Sequence, residues 1–163
     1  MKAGNGSKLD NRRKDHIRTI RKASKHHDIL FGQEVKYNDN LKSSLEGFVQ
    51  TSHFFHNPLS TQSAGTFIAI RRSYLEKFTY REEVLVPGYL QQVLLSPKDA
   101  SASAPFSLLN VYLYTGNKRR WAKVKSQLEV ALTAEASDFN FALGDFNLAL
   151  EKEDYTDPSL PKG

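Results

Sequence analysis

The residues Phe139-Asn140-Phe141-Ala142-Leu143 form an apolar run of strand length that Gly144 brings to a stop, and they constrain the fold of this 163-residue chain more than any other segment. A sheet built from such strands needs a layer over each apolar face. Asp145, Phe146 and Asn147 follow at once. In extended geometry Asp145 and Asn147, two residues apart, aim their side chains to one side. An aspartate placed there holds a water or a metal-bound phosphate, and an asparagine beside it donates to a phosphoryl oxygen without adding repulsive charge. The same residue types also make tight turns, so this segment alone leaves both readings open.

Other segments repeat the pattern. Asp28-Ile29-Leu30-Phe31-Gly32-Gln33-Glu34 reads as a short apolar strand ending in a carboxylate, Gly65-Thr66-Phe67-Ile68-Ala69-Ile70 as a glycine-led strand, and Leu108-Leu109-Asn110-Val111-Tyr112-Leu113 as a strand with a tyrosine at its end. Further strands are expected near residues 49–55, 83–86 and 89–95, and an exposed loop over 96–105. Helical spacing links Ile17, Ile20 and Ala23, then Leu41, Leu45 and Phe48, and finally Trp121, Val124, Leu128 and Leu132. Thr115-Gly116-Asn117-Lys118 lacks the upstream glycine of a phosphate-binding P-loop.

In order and spacing these segments resemble the endonuclease/exonuclease/phosphatase superfamily, the DNase-I-like fold: Gln33-Glu34 for Q-E, the 65–70 strand, Asn110-Val111-Tyr112 for N-x-Y, and Gly144-Asp145-Phe146-Asn147 for G-D-F-N. The resemblance covers residues 28–147 and implies an α/β (α+β) chain, a two-sheet sandwich flanked by helices, of which this chain supplies the first half. Residues 1–27 are then a basic arm and helix, 28–147 a partial domain and 148–163 a loose tail. The resemblance makes Glu34 a ligand of a catalytic magnesium, or of manganese in its place. One carboxylate is enough, because magnesium keeps several waters and commonly takes only one or two protein carboxylates plus substrate phosphate. By the same matching Tyr112 contacts the scissile phosphate, Asp145 orients or activates the attacking water, and Asn147 stabilises the charged phosphoryl group. The plainer reading of Tyr112 is a core aromatic with its hydroxyl tied off.

The chain departs from the family at both ends. A late aspartate–histidine pair serves there in acid–base chemistry; here His16, His26, His27, His53 and His56 all precede Tyr112, so none takes that role. An opening N-x-N-G has only Asn5-Gly6 as a counterpart, with Ala3 in the first asparagine's place, which makes Asn5 a remnant of a metal site. Val35 stands for a common threonine, Lys36 fits, and Tyr114 stands where a proline often follows. A sheet missing half its cover is expected to be marginally stable, and the chain to be inactive alone.

Charge is uneven. Residues 1–27 carry nine Lys or Arg against two acidic residues, a local +7 within a total of +5. Such an arm suits nucleic-acid phosphates, although it also suits a solvated basic helix. Lys118, Arg119 and Arg120 open the helix after Tyr112 and are candidate nucleic-acid contacts. The string Asn110-Val111-Tyr112-Leu113-Tyr114-Thr115-Gly116-Asn117 with this basic helix after it resembles the endonuclease domains of non-LTR retrotransposons, which implies magnesium-dependent nicking of DNA. A phosphatase or RNA nuclease of the same fold, and a noncatalytic nucleic-acid-binding remnant, are the alternatives. A 39% hydrophobic and 25% charged composition is ordinary for a globular domain, and the absence of cysteine excludes disulfides and thiolate metal sites. No apolar run has the length of a membrane span or signal core, so the expected place is intracellular, nucleus or cytoplasm, with no membrane partner. Oligomeric state is not encoded in any motif.

Overall fold

The computed structural model describes residues 17–35, 51–59, 65–99, 101, 103–113, 117–134 and 139–147. The basic arm before residue 17, Asn5 within it, Lys36, the helix expected at 41–48, Tyr114–Gly116 and the 148–163 tail lie outside the described residues.

Two sheets form. The first has the order β1 (Ile29–Gly32), β3 (Gly65–Arg71), β2 (Ser52–Pro58), all antiparallel. β3 is the central strand, and it is the segment most continuously apolar in sequence: both of its faces are buried from Gly65 to Ile70. The second sheet runs β4 (Phe78–Val86), β5 (Leu90–Pro97), β6 (Phe106–Tyr112), β7 (Phe139–Asp145). The first three of these are antiparallel; β7 lies parallel to β6 and is reached through a helix. Residues 17–24 form helix α1, Arg72–Leu75 a single turn α2, and Lys118–Thr133 helix α3.

The sheets pack face to face. Phe55, Ile68 and Ile70 of the first meet Val93, Leu95 and Leu108 of the second, with Leu75 of α2 closing one end. A second core lies under α3, where Val124 and Ala131 pack with Leu90, Leu109 and Val111, and Trp121 and Leu128 pack against its margin. The apolar face of α3 is therefore Trp121, Val124, Leu128 and Ala131. Leu132, expected on that face, is 42% exposed, while its neighbour Ala131 is buried, because the 3-4-3 spacing carries the stripe one residue earlier. Asn117 caps α3, its side-chain oxygen accepting from the Arg120 N–H at 3.1 Å.

Other boundaries differ from expectation: β2 lies at Ser52–Pro58 rather than 49–55, and β7 runs through Gly144 to Asp145 because both residues pair with β6. β4 starts at Phe78 rather than near 83: its side chains from Thr79 to Val84 are exposed, so the pairing with β5 and not an apolar pattern defines it. β5 continues through Pro97, into the segment expected as loop. β1 stops at Gly32, two residues before Glu34.

A buried polar network ties the sheets together. Asn57 donates to Thr66 and to the Val86 carbonyl, both at 3.2 Å, and accepts from the Gly88 N–H at 2.7 Å. Thr66 donates to Gln91 at 2.9 Å, and Gln91 donates to the Phe55 carbonyl at 3.1 Å. Among the described residues no buried side-chain nitrogen or oxygen lacks a partner, as interior packing requires. At the surface Arg71 pairs with Asp28 at 3.2 Å and donates to the carbonyls of Ser24, Lys25 and His27, which places a cation at the C-terminal end of α1.

Candidate active site

The site is assembled where β1, β6 and β7 end. Gly32 has no room for a side chain, since a Cβ there would enter the Phe67 ring. That close approach lets the next two residues reach β6. Gln33 donates to Asn110 at 2.7 Å, and buried Asn110 donates in turn to the carbonyls of Phe67 at 2.7 Å and Gly32 at 3.1 Å. One amide thus ties β6 to both β1 and β3. Glu34 has a φ of 56°, a left-handed conformation uncommon outside glycine and of a kind concentrated at functional sites. It is fixed on its other side by the Val35 N–H donating to the Gly65 carbonyl at 2.9 Å.

Held in this way, Glu34 meets Tyr112. The Tyr112 hydroxyl donates to Oε1 of Glu34. Tyr112 is only 2% exposed, whereas Glu34 is exposed and its Oε2 has no partner among the described residues. Burial, then the Glu34 hydrogen bond, then the negative charges of Glu34 and Asp145 push the Tyr112 hydroxyl well above its ordinary pKa. It is therefore a permanent donor near neutral pH and not a base.

Asp145 stands directly across from Tyr112 in the parallel register of β6 and β7, and its carbonyl accepts from the Leu113 N–H at 2.8 Å. The glycine before it is required: Gly144 has a φ of 151°, and a Cβ would collide with the Val111 carbonyl oxygen. Asn147 does not continue the strand. Its φ is 45° and its N–H donates to Oδ1 of Asp145 at 3.0 Å. The extended arrangement expected for the two side chains is thus replaced by an Asx turn at the strand's exit. The strand-end and turn readings of G-D-F-N are both realised, one residue after the other.

Lys118 and Arg119 are exposed on the first turn of α3. Arg120 is half-buried: its Nη1 donates to the Tyr89 hydroxyl at 2.8 Å, and its guanidinium carbon lies 4.9 Å from the centre of the Tyr89 ring. Tyr89 stacks on Tyr112, with 5.7 Å between centroids and 3° between planes. The structure brings Glu34, Tyr112 and Asp145 together, with Arg120 adjoining through Tyr89. The residues that sequence reasoning passed over are Gln33, Asn110 and Tyr89. The first two stood inside the quoted Q-E and N-x-Y motifs, whereas nothing in the sequence marks Tyr89. His53 packs against Phe55 and Tyr80, and His56 stacks on Phe54, both on β2.

The donor set suits a hard cation. Carboxylate oxygens are what magnesium selects, and it accepts few of them when water and phosphate complete its shell. Among the described residues there is no group of three or more His, Cys, Asp or Glu side chains that could hold a metal ion.

Solved structures of the same architecture exist. An endonuclease/exonuclease/phosphatase family protein from Bacteroides thetaiotaomicron is similar at TM-score 0.62 and 16% identity, over 94% of this chain and 63% of that one. D. rerio TDP2 complexed with single-strand DNA product is similar at TM-score 0.55 and 19% identity, over 83% of this chain and 55% of that one. ANGEL2, a 2′,3′-cyclic phosphatase in complex with adenosine-2′,3′-vanadate, is similar at TM-score 0.57 and 19% identity, over 84% and 44%. The chain therefore spans between 44% and 63% of the length of these three structures. No protein-family model matches the sequence, and no curated protein matches it. Likeness at this level of identity shows the fold. The chain has the endonuclease/exonuclease/phosphatase, or DNase-I-like, fold, as a partial α+β two-sheet sandwich.

Proposed function

We propose that this chain carries the phosphate-handling residues of a magnesium-dependent phosphodiesterase, and that its substrate is DNA, nicked in the manner of a retrotransposon endonuclease inside the cell. The observation that carries the reading is the hydrogen bond from buried Tyr112 to exposed Glu34, with Asp145 across from Tyr112 on the next strand. Glu34 is the residue that would hold magnesium, through the oxygen that Tyr112 leaves free. When bound, the metal polarises a phosphoryl oxygen and neutralises developing charge. Tyr112, kept protonated, gives its one hydroxyl proton to Glu34 and so orients that carboxylate at the edge of the site. Asp145 has one oxygen held by the Asn147 N–H, which leaves the other to orient a water for in-line attack. Asn147 is drawn in beside it by that turn and supplies an amide for the phosphoryl oxygens. Lys118 and Arg119, exposed at the start of α3, contact strand phosphates without reading sequence. The choice of DNA is favoured by the basic helix following the 110–117 string and by the DNA product held by D. rerio TDP2, a protein of the same fold.

A supercoiled-plasmid nicking assay tests this with the chain joined to a second half of the same fold, since the chain by itself is expected to be inactive. Magnesium-dependent nicking is expected, reduced about 10²- to 10³-fold by Glu34→Gln or Asp145→Ala, the usual loss when one transition-state contact is removed. Nicking unchanged in those variants removes both residues from the mechanism. Binding that is steeply salt-dependent, indifferent to magnesium and unaccompanied by nicking points instead to a noncatalytic nucleic-acid-binding chain. Release of phosphate from a 2′,3′-cyclic or lipid phosphate, with DNA untouched, moves the substrate class.

A further inference from the structure

Arg120 differs from its neighbours Lys118 and Arg119. They point into solvent; it is drawn back onto the face of Tyr89, which is 3% exposed. The backbone of Tyr89 is tightly specified. Its N–H donates to the Val86 carbonyl at 3.0 Å, its carbonyl accepts from the Tyr112 N–H at 2.8 Å, and the preceding Gly88 N–H is held by Asn57 at 2.7 Å. Its ring lies parallel on Tyr112 and its hydroxyl accepts from Arg120. A continuous chain of contacts thus runs from Arg120 through Tyr89 and Tyr112 to Glu34. A buried tyrosine hydroxyl needs a polar partner, and here the partner is a cation with donors to spare. A guanidinium has five N–H donors in a planar fork; one goes to Tyr89, and the rest are unpartnered among the described residues.

We infer that Tyr89 is a positioning residue that clamps Arg120 beside the Tyr112–Glu34 pair as a contact for a phosphodiester oxygen of a nucleic-acid strand. This rests on the phosphodiesterase reading of the same site and adds the device that sets one basic residue apart from the other two. Lys118 and Arg119 act as mobile point charges along the strand. Arg120 acts at a fixed place, because the cation–π contact and the hydroxyl fix both the position and the plane of its fork.

Tyr89→Phe is the informative variant, since it keeps the ring, the stack on Tyr112 and the cation–π contact and deletes only the oxygen that holds the fork. Binding of a fluorescein-labelled DNA duplex to the full chain, measured by anisotropy without divalent metal over a range of salt, gives the readout. Arg120→Ala should weaken binding about tenfold and lower the slope of log Kd against log salt by about one, as for one lost phosphate contact. Tyr89→Phe should weaken binding roughly fivefold with the slope unchanged, since the charge remains but is misplaced. The double variant should be no weaker than Arg120→Ala, whereas Tyr89→Phe combined with Lys118→Ala should be additive. Tyr89→Phe binding like the unaltered chain, losses that add between Tyr89 and Arg120, or no binding by the unaltered chain would each overturn the clamp. If this coupling is found and magnesium-dependent nicking is not, the catalytic reading fails and the clamp stands. Nicking with no coupling gives the reverse.

Discussion

Asn110 shows how one side chain can tie three strands together. Its amide is buried between the sheets and satisfies the Phe67 and Gly32 carbonyls while accepting from Gln33. Asn110→Ala removes the partner of the buried Phe67 carbonyl and of the part-buried Gly32 carbonyl and Gln33 amide. Each buried polar group left unpaired costs about 1–3 kcal/mol, so an overall loss of roughly 3 kcal/mol is expected in urea unfolding. The Glu34 loop should also lose its tie to β6, and a loss below about 1 kcal/mol would show that water replaces the amide there. His53 contributes a pH dependence. Burial, then the charge of Arg72, hold its pKa below the ordinary 6.5. The folded chain then binds that proton more weakly than the unfolded chain, so stability falls as pH drops below about 6.5 and levels off beneath the folded value. Against the unaltered protein, His53→Gln should flatten the stability–pH curve just below about pH 6.5. Identical slopes in the two proteins would assign the effect to another group.

Among the elements, β7 depends most on one residue. It pairs with β6 in parallel from Phe106↔Phe139 to Tyr112↔Asp145, and Gly144 lies against the Val111 backbone within that register. Gly144→Ala adds a Cβ into a carbonyl oxygen and imposes a left-handed φ on an L side chain. Backbone strain of this kind costs about 1–3 kcal/mol before the collision is counted, and the collision forces the end of β7 away from β6. Asp145 moves with it, so magnesium-dependent nicking should fall with stability in the same variant. A variant as stable as the original would mean that β7 shifts register at little cost. The apolar run and the carboxylate at its end are legible in the sequence, but the strand does not stop at the glycine: it runs through Gly144 to Asp145, both paired with β6. The Asx turn is not legible there, because Asp and Asn support strand exits and turns equally well and only the chain's direction beyond Asp145 separates them.

At the scale of the molecule, β7 is the edge of its sheet among the described residues, and Phe141 and Leu143 are 50% and 44% exposed on it. An edge strand with open hydrogen-bonding groups and exposed apolar side chains is a template for association. The full chain is therefore expected to self-associate as concentration rises in sedimentation velocity, and Phe141→Lys with Leu143→Thr to suppress it. A monomer at every concentration in the unaltered protein would count against this.

Sequence by itself marked most of the elements and the candidate site residues. Strand runs and a helical stripe are local, and the Q-E, N-x-Y and G-D-F-N strings mark Glu34, Tyr112 and Asp145 as candidates. It could not place β4, whose polar exposed side chains carry no period and which exists because β5 lies beside it, nor choose Ala131 over Leu132. The tertiary structure alone decided which side chains meet. Glu34 and Tyr112 are separated by 78 residues, as are Asn110 and Gly32, and Tyr89 lies 31 residues from Arg120. Contacts over such separations follow from sheet order, register and the stacking of one sheet on the other, which are set by burial summed over the whole chain and leave no mark on any short stretch of it.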